Sequence, residues 1–305
     1  LHTNGLSPAS SLVVLLAKIQ VKKNQLLLLF SGVVLLAFLM VFGKTTGKKA
    51  PVPDAAKKAE MPAYDIEKQA VAAKKTLDAG QSARLSSLEK ALEQAGTSES
   101  RELACRELAR FWSDSADNHE LFVFYTHKGA MLVNSEKSLT FAARQIFREM
   151  RNEEDPAIRI WKSDKARELF EKAGQQDPEN DSLKTELAAC HIFGPGMAGD
   201  ASETMKGVQM LLGIVRKDSL NMQAQQLLGI GGVVSTQYEK AIGRLELVVS
   251  RMPENLEAVS WLADAYAGKG DVTNAVKWYN YSKKLVNNPE FSREIDRRIA
   301  LLRQK

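Results

Sequence analysis

The chain has 305 residues, 44% hydrophobic and 26% charged, a balance that excludes wholesale disorder and leaves room for one large or two ordinary domains. Its two cysteines, Cys105 and Cys190, form no C-x-x-C pair, which excludes a disulfide framework or zinc knuckle as what holds the fold together. The formal net charge of +5 arises in residues 1–50, which hold six lysines and no acid; 36 basic and 37 acidic side chains follow, too neutral a set for a nucleic-acid-binding face.

Residues 1–25 begin with Leu1 and are read as a segment without functional weight. Residues 26–43, LLLLFSGVVLLAFLMVFG, carry no charge and span roughly 27 Å as a helix, which suits a bilayer core. Lys22 and Lys23 before the run and Lys44, Lys48 and Lys49 after it favour interfacial snorkelling over burial in a soluble core. No small-x-small cleavage site follows, so the expectation is an uncleaved transmembrane signal-anchor at 26–43. With Lys18 counted, the flanking lysines nearly balance and do not select an orientation. Residues 44–63, rich in Lys, Ala and Pro without apolar periodicity, read as a flexible linker.

Residues 64–153 read as a helical region. Apolar residues recur at spacings of three and four over 66–77, 83–92 and 102–111, with turn signals at Ala79-Gly80 and Gly96-Thr97-Ser98. No alternating run bounded by hairpin turns supports a strand-based fold.

The carboxyl-terminal half repeats with a period of 34. Ala241 and Ala275 lie one period apart, and around Ala275 stand Leu262-Ala263, Tyr266, Gly270 and Tyr279. Around Ala241 the same places hold Leu228-Gly229, Leu245, Val248 and Pro253. One period earlier come Gly207, Leu211 and Ile214, and 41 residues before Gly207, one period plus an insertion of seven, Ala166, Phe170, Ala173 and Pro178 repeat the second-helix pattern. Small residues let paired helices approach, large ones fill the gaps, and Pro178 and Pro253 stop a helix before the next unit.

This spacing resembles the tetratricopeptide repeat over 154–289, and more weakly over 118–153. The resemblance implies an all-α fold, a right-handed α-solenoid of helical hairpins following the single transmembrane helix, with residues 290–305 as a capping helix. Ser282 stands where the pattern prefers Ala, and His191 where it prefers an aromatic. A membrane span followed by such repeats resembles the envelope-anchored tetratricopeptide proteins of bacteria. That implies an inner-membrane, single-pass protein with a periplasmic carboxyl-terminal part, acting as a scaffold or adaptor for a protein or peptide or for another copy of itself. The alternative implied is an accessory role in envelope protein export or cytochrome c assembly.

In such a solenoid the first helix of each unit lines the concave side, and positions two, five and nine point inward. These are Ser182, Thr185 and Ala189; Gln223, Gln226 and Ile230; Glu257, Ser260 and Asp264. The set has no Lys or Arg to fork a terminal carboxylate, so it departs from carboxylate-clamp repeats and better suits an extended or helical peptide with polar and apolar contacts.

Residues 194–199 spell G-x-G-x-x-G, but they follow a helix instead of a strand, so the glycines are expected to serve positive φ in a long turn and not a dinucleotide. Gly229, Gly231 and Gly232 belong to a repeat's first helix. Among His2, His119, His127 and His191, the spacing of His119 and His127 suits one helix face without completing a metal set, and His191 is expected to be a satisfied packing imidazole. Cys105 and Cys190 read as small buried apolar residues, able to pair only if their backbones approach. No nucleophile stands beside a base, so no catalytic residue, cofactor, metal or small-molecule substrate is expected; an enzyme within 64–153 is the least favoured reading.

Overall fold

The computed structural model describes residues 64–304, so the anchor read at 26–43, the linker at 44–63 and the segment 1–25 lie outside the described residues. The described residues belong to one compact unit spanning 62–305. They form helices α1 (Ile66–Lys75), α2 (Ala79–Gln94), α3 (Ser98–Arg110), α4 (His119–Val133), α5 (Glu136–Arg151), α6 (Pro156–Gln176), α7 (Asp181–His191), α8 (Ala201–Lys217), α9 (Met222–Val234), α10 (Tyr238–Arg251), α11 (Leu256–Lys269), α12 (Val272–Val286) and α13 (Pro289–Arg303). Short π-helical turns, Phe111–Ser115 and Ile192–Gly196, extend α3 and α7. No helix among the described residues is long and apolar enough to cross a membrane.

From α5 onward four hairpins stack in chain order, α5–α6, α7–α8, α9–α10 and α11–α12, each helix packing on its sequence neighbours; α3 and α4 pair ahead of them and α13 covers the last. The reason is legible in α5, where Leu139, Ala142, Ala143, Ile146 and Met150 form a buried stripe at helical spacing. One hairpin cannot enclose such a stripe, so burial requires the next. The core accordingly falls into clusters that succeed one another along the array. Ala166, Ala241 and Ala275 are wholly buried, as are Ala188 and Ala263 in the partner helices. At Gly229 a Cβ would lie 2.5 Å from Leu245 Cγ, so only glycine admits the large residue opposite. Ser282 is buried where alanine was expected, its hydroxyl donating to the Tyr279 carbonyl at 2.8 Å.

The connections between units share one geometry. In Asp177-Pro178-Glu179-Asn180, Asp218-Ser219-Leu220-Asn221 and Met252-Pro253-Glu254-Asn255 the first residue leaves the helical region, with φ between −133° and −134°. The Asn amide donates to that residue's carbonyl at 3.0–3.2 Å, and the Asn side chain caps the following helix. Proline preorganises two of the turns, but the asparagine is common to all three.

Three sequence expectations need correction. Ala79-Gly80 is the start of α2 and not a turn: the Asp78 carboxylate accepts from the Gln81 amide at 2.7 Å, and the Gln81 side chain accepts from the Asp78 amide at 3.0 Å, a capping box that begins the helix at Ala79. The first hairpin reaches back past residue 154 to Glu136, because α6 runs for 21 residues and displaces its partner upstream. Among the glycines of 194–199 only Gly199 has positive φ, +94°. Gly194 and Gly196 instead admit close neighbours: a Cβ on Gly194 would collide with the Ser163 hydroxyl, and one on Gly196 would lie 2.6 Å from Thr204 Oγ1.

Candidate functional site

The first helices α7, α9 and α11 pack side by side and form the face on which a partner was expected. The structure divides this face into a closed stretch and an open one. In the closed stretch, the Arg151 guanidinium at the end of α5 donates to Glu257 at 2.7 Å, joining first helices of the first and fourth hairpins across 106 positions of sequence. Glu257 also accepts from Gln226 at 2.8 Å, and Gln226 accepts from the Asn255 side chain at 2.7 Å. The Arg151 guanidinium lies 3.8 Å from the centroid of Phe193, whose ring is flanked by Phe147 and Trp261 at 6.1 and 6.5 Å. What remains there is a cleft of about 90 Å³.

The π-helical turn after α7 supplies Phe193, and polar contacts hold the turn in place. The Met197 amide donates to the Ile192 carbonyl at 2.9 Å, and Ser163 donates to the Cys190 carbonyl at 3.0 Å. His191 Nδ1 and Arg167 both donate to the Glu203 carboxylate, at 2.7 and 3.0 Å, and Lys206 pairs with it as well. Burial pushes Glu203 up, but the hydrogen bonds from Lys206 and His191 and the Arg167 charge hold it below the usual carboxylate range. His191 is thus a buried imidazole with its hydrogen bond satisfied.

The open stretch lies between α5 and α7, a groove of about 570 Å³ with Ser135, Glu136, Phe141, Arg144, Asn180 and Ser182 on its walls. Phe141 is 64% exposed, out of phase with the buried stripe of its own helix. Arg144 donates to Glu186 at 2.8 Å and leaves the rim electrically mixed.

The residues expected to line a continuous groove therefore separate. Ser182 is on the open wall, Gln223 is exposed and Ser260 half-buried. Gln226 and Glu257 are committed to the closed network. Asp264 accepts from the Tyr279 hydroxyl at 2.5 Å and faces Arg298 of the capping helix at 3.6 Å; burial pushes its carboxyl up against both partners. Thr185 and Ile230 are buried, as is Ala189, so none of the three side chains is offered to a partner. Thr185 spends its hydroxyl on the Asp181 carbonyl at 2.7 Å, and Ile230 belongs to the core cluster of α7–α9. Position counting missed Phe141, Arg151 and Phe193, although an aromatic off its helix's apolar phase was a readable signal for the first.

His119 and His127 share α4 but pair separately, His119 Nδ1 with Glu149 and His127 Nε2 with Glu168, each at 2.9 Å. Among the described residues no three His, Cys, Asp or Glu side chains are placed to hold a metal. Cys105 and Cys190 are buried free thiols.

No family model matches the chain, and no curated protein matches its sequence. Among solved structures it is similar to a tetratricopeptide repeat protein from Parabacteroides merdae ATCC 43184, with a TM-score of 0.52 and 13% identity over 78% of this chain and 86% of that one. MamA (TM-score 0.41, 16% identity, 60% of this chain and 91% of that one) also matches. So does YrrB, described as a tetratricopeptide protein with an unusual peptide-binding site (0.39, 15%, 69% and 97%). With its stacked hairpins and their small-residue seams, the chain is a tetratricopeptide-like protein by fold.

Proposed function

We propose that the protein is a scaffold that binds a polypeptide segment in the groove between α5 and α7. The observation that carries this reading is Phe141, a large apolar side chain 64% exposed beside a groove of about 570 Å³, a volume within the range of peptide and ligand pockets. An apolar side chain of the partner covers the Phe141 ring, and the hydroxyls of Ser135 and Ser182 meet its backbone. The uncharged run at 26–43, with lysines at both ends, supports a single membrane anchor that holds this groove near the inner membrane on its periplasmic side and raises the effective concentration of a tethered partner.

The test is photocrosslinking in cells from benzoylphenylalanine at Ser182, with a control at exposed Lys240 on α10. A discrete adduct at Ser182, absent at Lys240 and lost in Phe141→Glu, is the expected result. Identical adducts at both positions, or one indifferent to Phe141→Glu, would overturn the proposal.

A further inference from the structure

A second groove lies on the opposite helices of the array, between α10 and α12, with a volume of about 670 Å³. Two facing stripes build it. Glu246, Val249, Ser250 and Pro253 follow one another at i, i+3, i+4 and i+7 on and just beyond α10, and Lys277, Trp278, Tyr281 and Lys284 occupy i, i+1, i+4 and i+7 of α12. The floor is apolar and aromatic: Trp278 and Tyr281 are half-buried, their rings edge to face at 5.9 Å. Such side chains give a binding surface large contact area at low entropic cost.

The rim is positive. Lys277 Nζ lies 5.2 Å from the Trp278 centroid, and neither Lys277 nor Lys284 forms an ion pair among the described residues. The one acidic wall residue, Glu246, accepts the Tyr266 hydroxyl at 2.6 Å. An ammonium already over the indole disfavours a cationic occupant. The two lysines stand two turns apart, roughly 10 Å along the helix. That matches carboxylates seven residues apart on one face of a helix.

From this charge pattern we infer that the α10–α12 groove receives an acidic amphipathic segment of a partner protein, its apolar side chains on Trp278 and Tyr281 and its carboxylates on Lys277 and Lys284. The surface is independent of the α5–α7 groove, whose rim is electrically mixed, and gives the scaffold a second point of attachment.

The experiment is selection from a displayed library of random 14-residue peptides against the full chain, followed by titration of the enriched peptides. Enriched sequences should carry aromatic or aliphatic anchors flanked by Asp or Glu at the stated spacing. Lys277→Glu with Lys284→Glu, both surface changes, should weaken them tenfold or more with the circular dichroism spectrum unchanged, and so should Trp278→Ala. Raising salt from 50 to 500 mM should weaken them severalfold. Phe141→Glu should leave them unaffected, which separates this surface from the groove proposed above. Peptides without acidic residues, peptides indifferent to the lysine reversals, or no enriched peptide at all would overturn the inference. Concentration-dependent self-association abolished by the same reversals would also overturn it, assigning the groove to a second copy of the chain.

Discussion

Two glycines six residues apart on α8 should respond oppositely to the same substitution. Gly207 sits at a helix crossing, where an added Cβ would lie 2.7 Å from the Ala188 carbonyl oxygen and 3.0 Å from Ile192 Cγ1. Neither neighbour is the loose end of a flexible side chain: one is backbone and the other is wholly buried. Overpacking of this kind costs about 1–3 kcal/mol, against which alanine's helix preference returns about 1 kcal/mol. Because the nearest atom is backbone and cannot give way, the cost falls in the upper part of that range, about 2–3 kcal/mol, and Gly207→Ala should lose about 1–2 kcal/mol net. Gly213 has no heavy atom within 4 Å of its virtual Cβ, so Gly213→Ala keeps the helix gain of about 1 kcal/mol in full. In a unit of this size each kcal/mol moves Tm by about 2–4 °C, so the two variants should melt on opposite sides of the parent, about 4–12 °C apart. Thermal unfolding followed by circular dichroism at one scan rate measures it. A Gly207→Ala protein melting at or above the parent would refute the claim that these small residues set the approach of neighbouring helices.

The Lys162 ammonium, 3% exposed, meets Glu153 at 2.7 Å, and removing it as Lys162→Met should cost about 3 kcal/mol at pH 7 by stranding a mostly buried carboxylate. Burial pushes Glu153 up, but Lys162 and neighbouring amides hold it below the ordinary range, so the pair's contribution is present above pH of about 4.3 and fades as acid protonates the carboxylate. Urea unfolding should show the gap between parent and variant closing at pH 3; a gap of constant size refutes the assignment. Both thiols should resist labelling by a disulfide reagent until urea is added, because Cys105 and Cys190 are fully buried and burial pushes both up. Rapid labelling of the native protein would contradict that burial.

The repeats were legible because their physics is local. A seam needs a small residue facing a large one, and the alternation of Ala166 with Phe170, Gly229 with Leu245 and Ala275 with Tyr279 records that need in the chain. The boundary of the first hairpin was not, since the extra turns of α6 moved its partner out of register. The shared asparagine of the connecting turns was present at Asn180, Asn221 and Asn255 but masked by the more conspicuous prolines. The site was half legible. Of the positions counted, Ser182 lies on an open wall, but counting assumes equal exposure along each helix. Whether Gln226 and Glu257 face solvent depends on Arg151 and Phe193, which come from a helix and a turn far away in sequence.

The bond between Arg151 and Glu257 has a consequence for the way such a molecule can change over time. An open stack tolerates gain or loss of a hairpin, because every unit touches only its neighbours. Here a circuit is completed between the first unit and the fourth, so duplicating or deleting one hairpin between them would part guanidinium from carboxylate and uncover the Phe193 ring. The contact therefore favours a constant number of hairpins between its two partners, and lineages carrying it should vary in the length of their termini and connecting turns before they vary in repeat count.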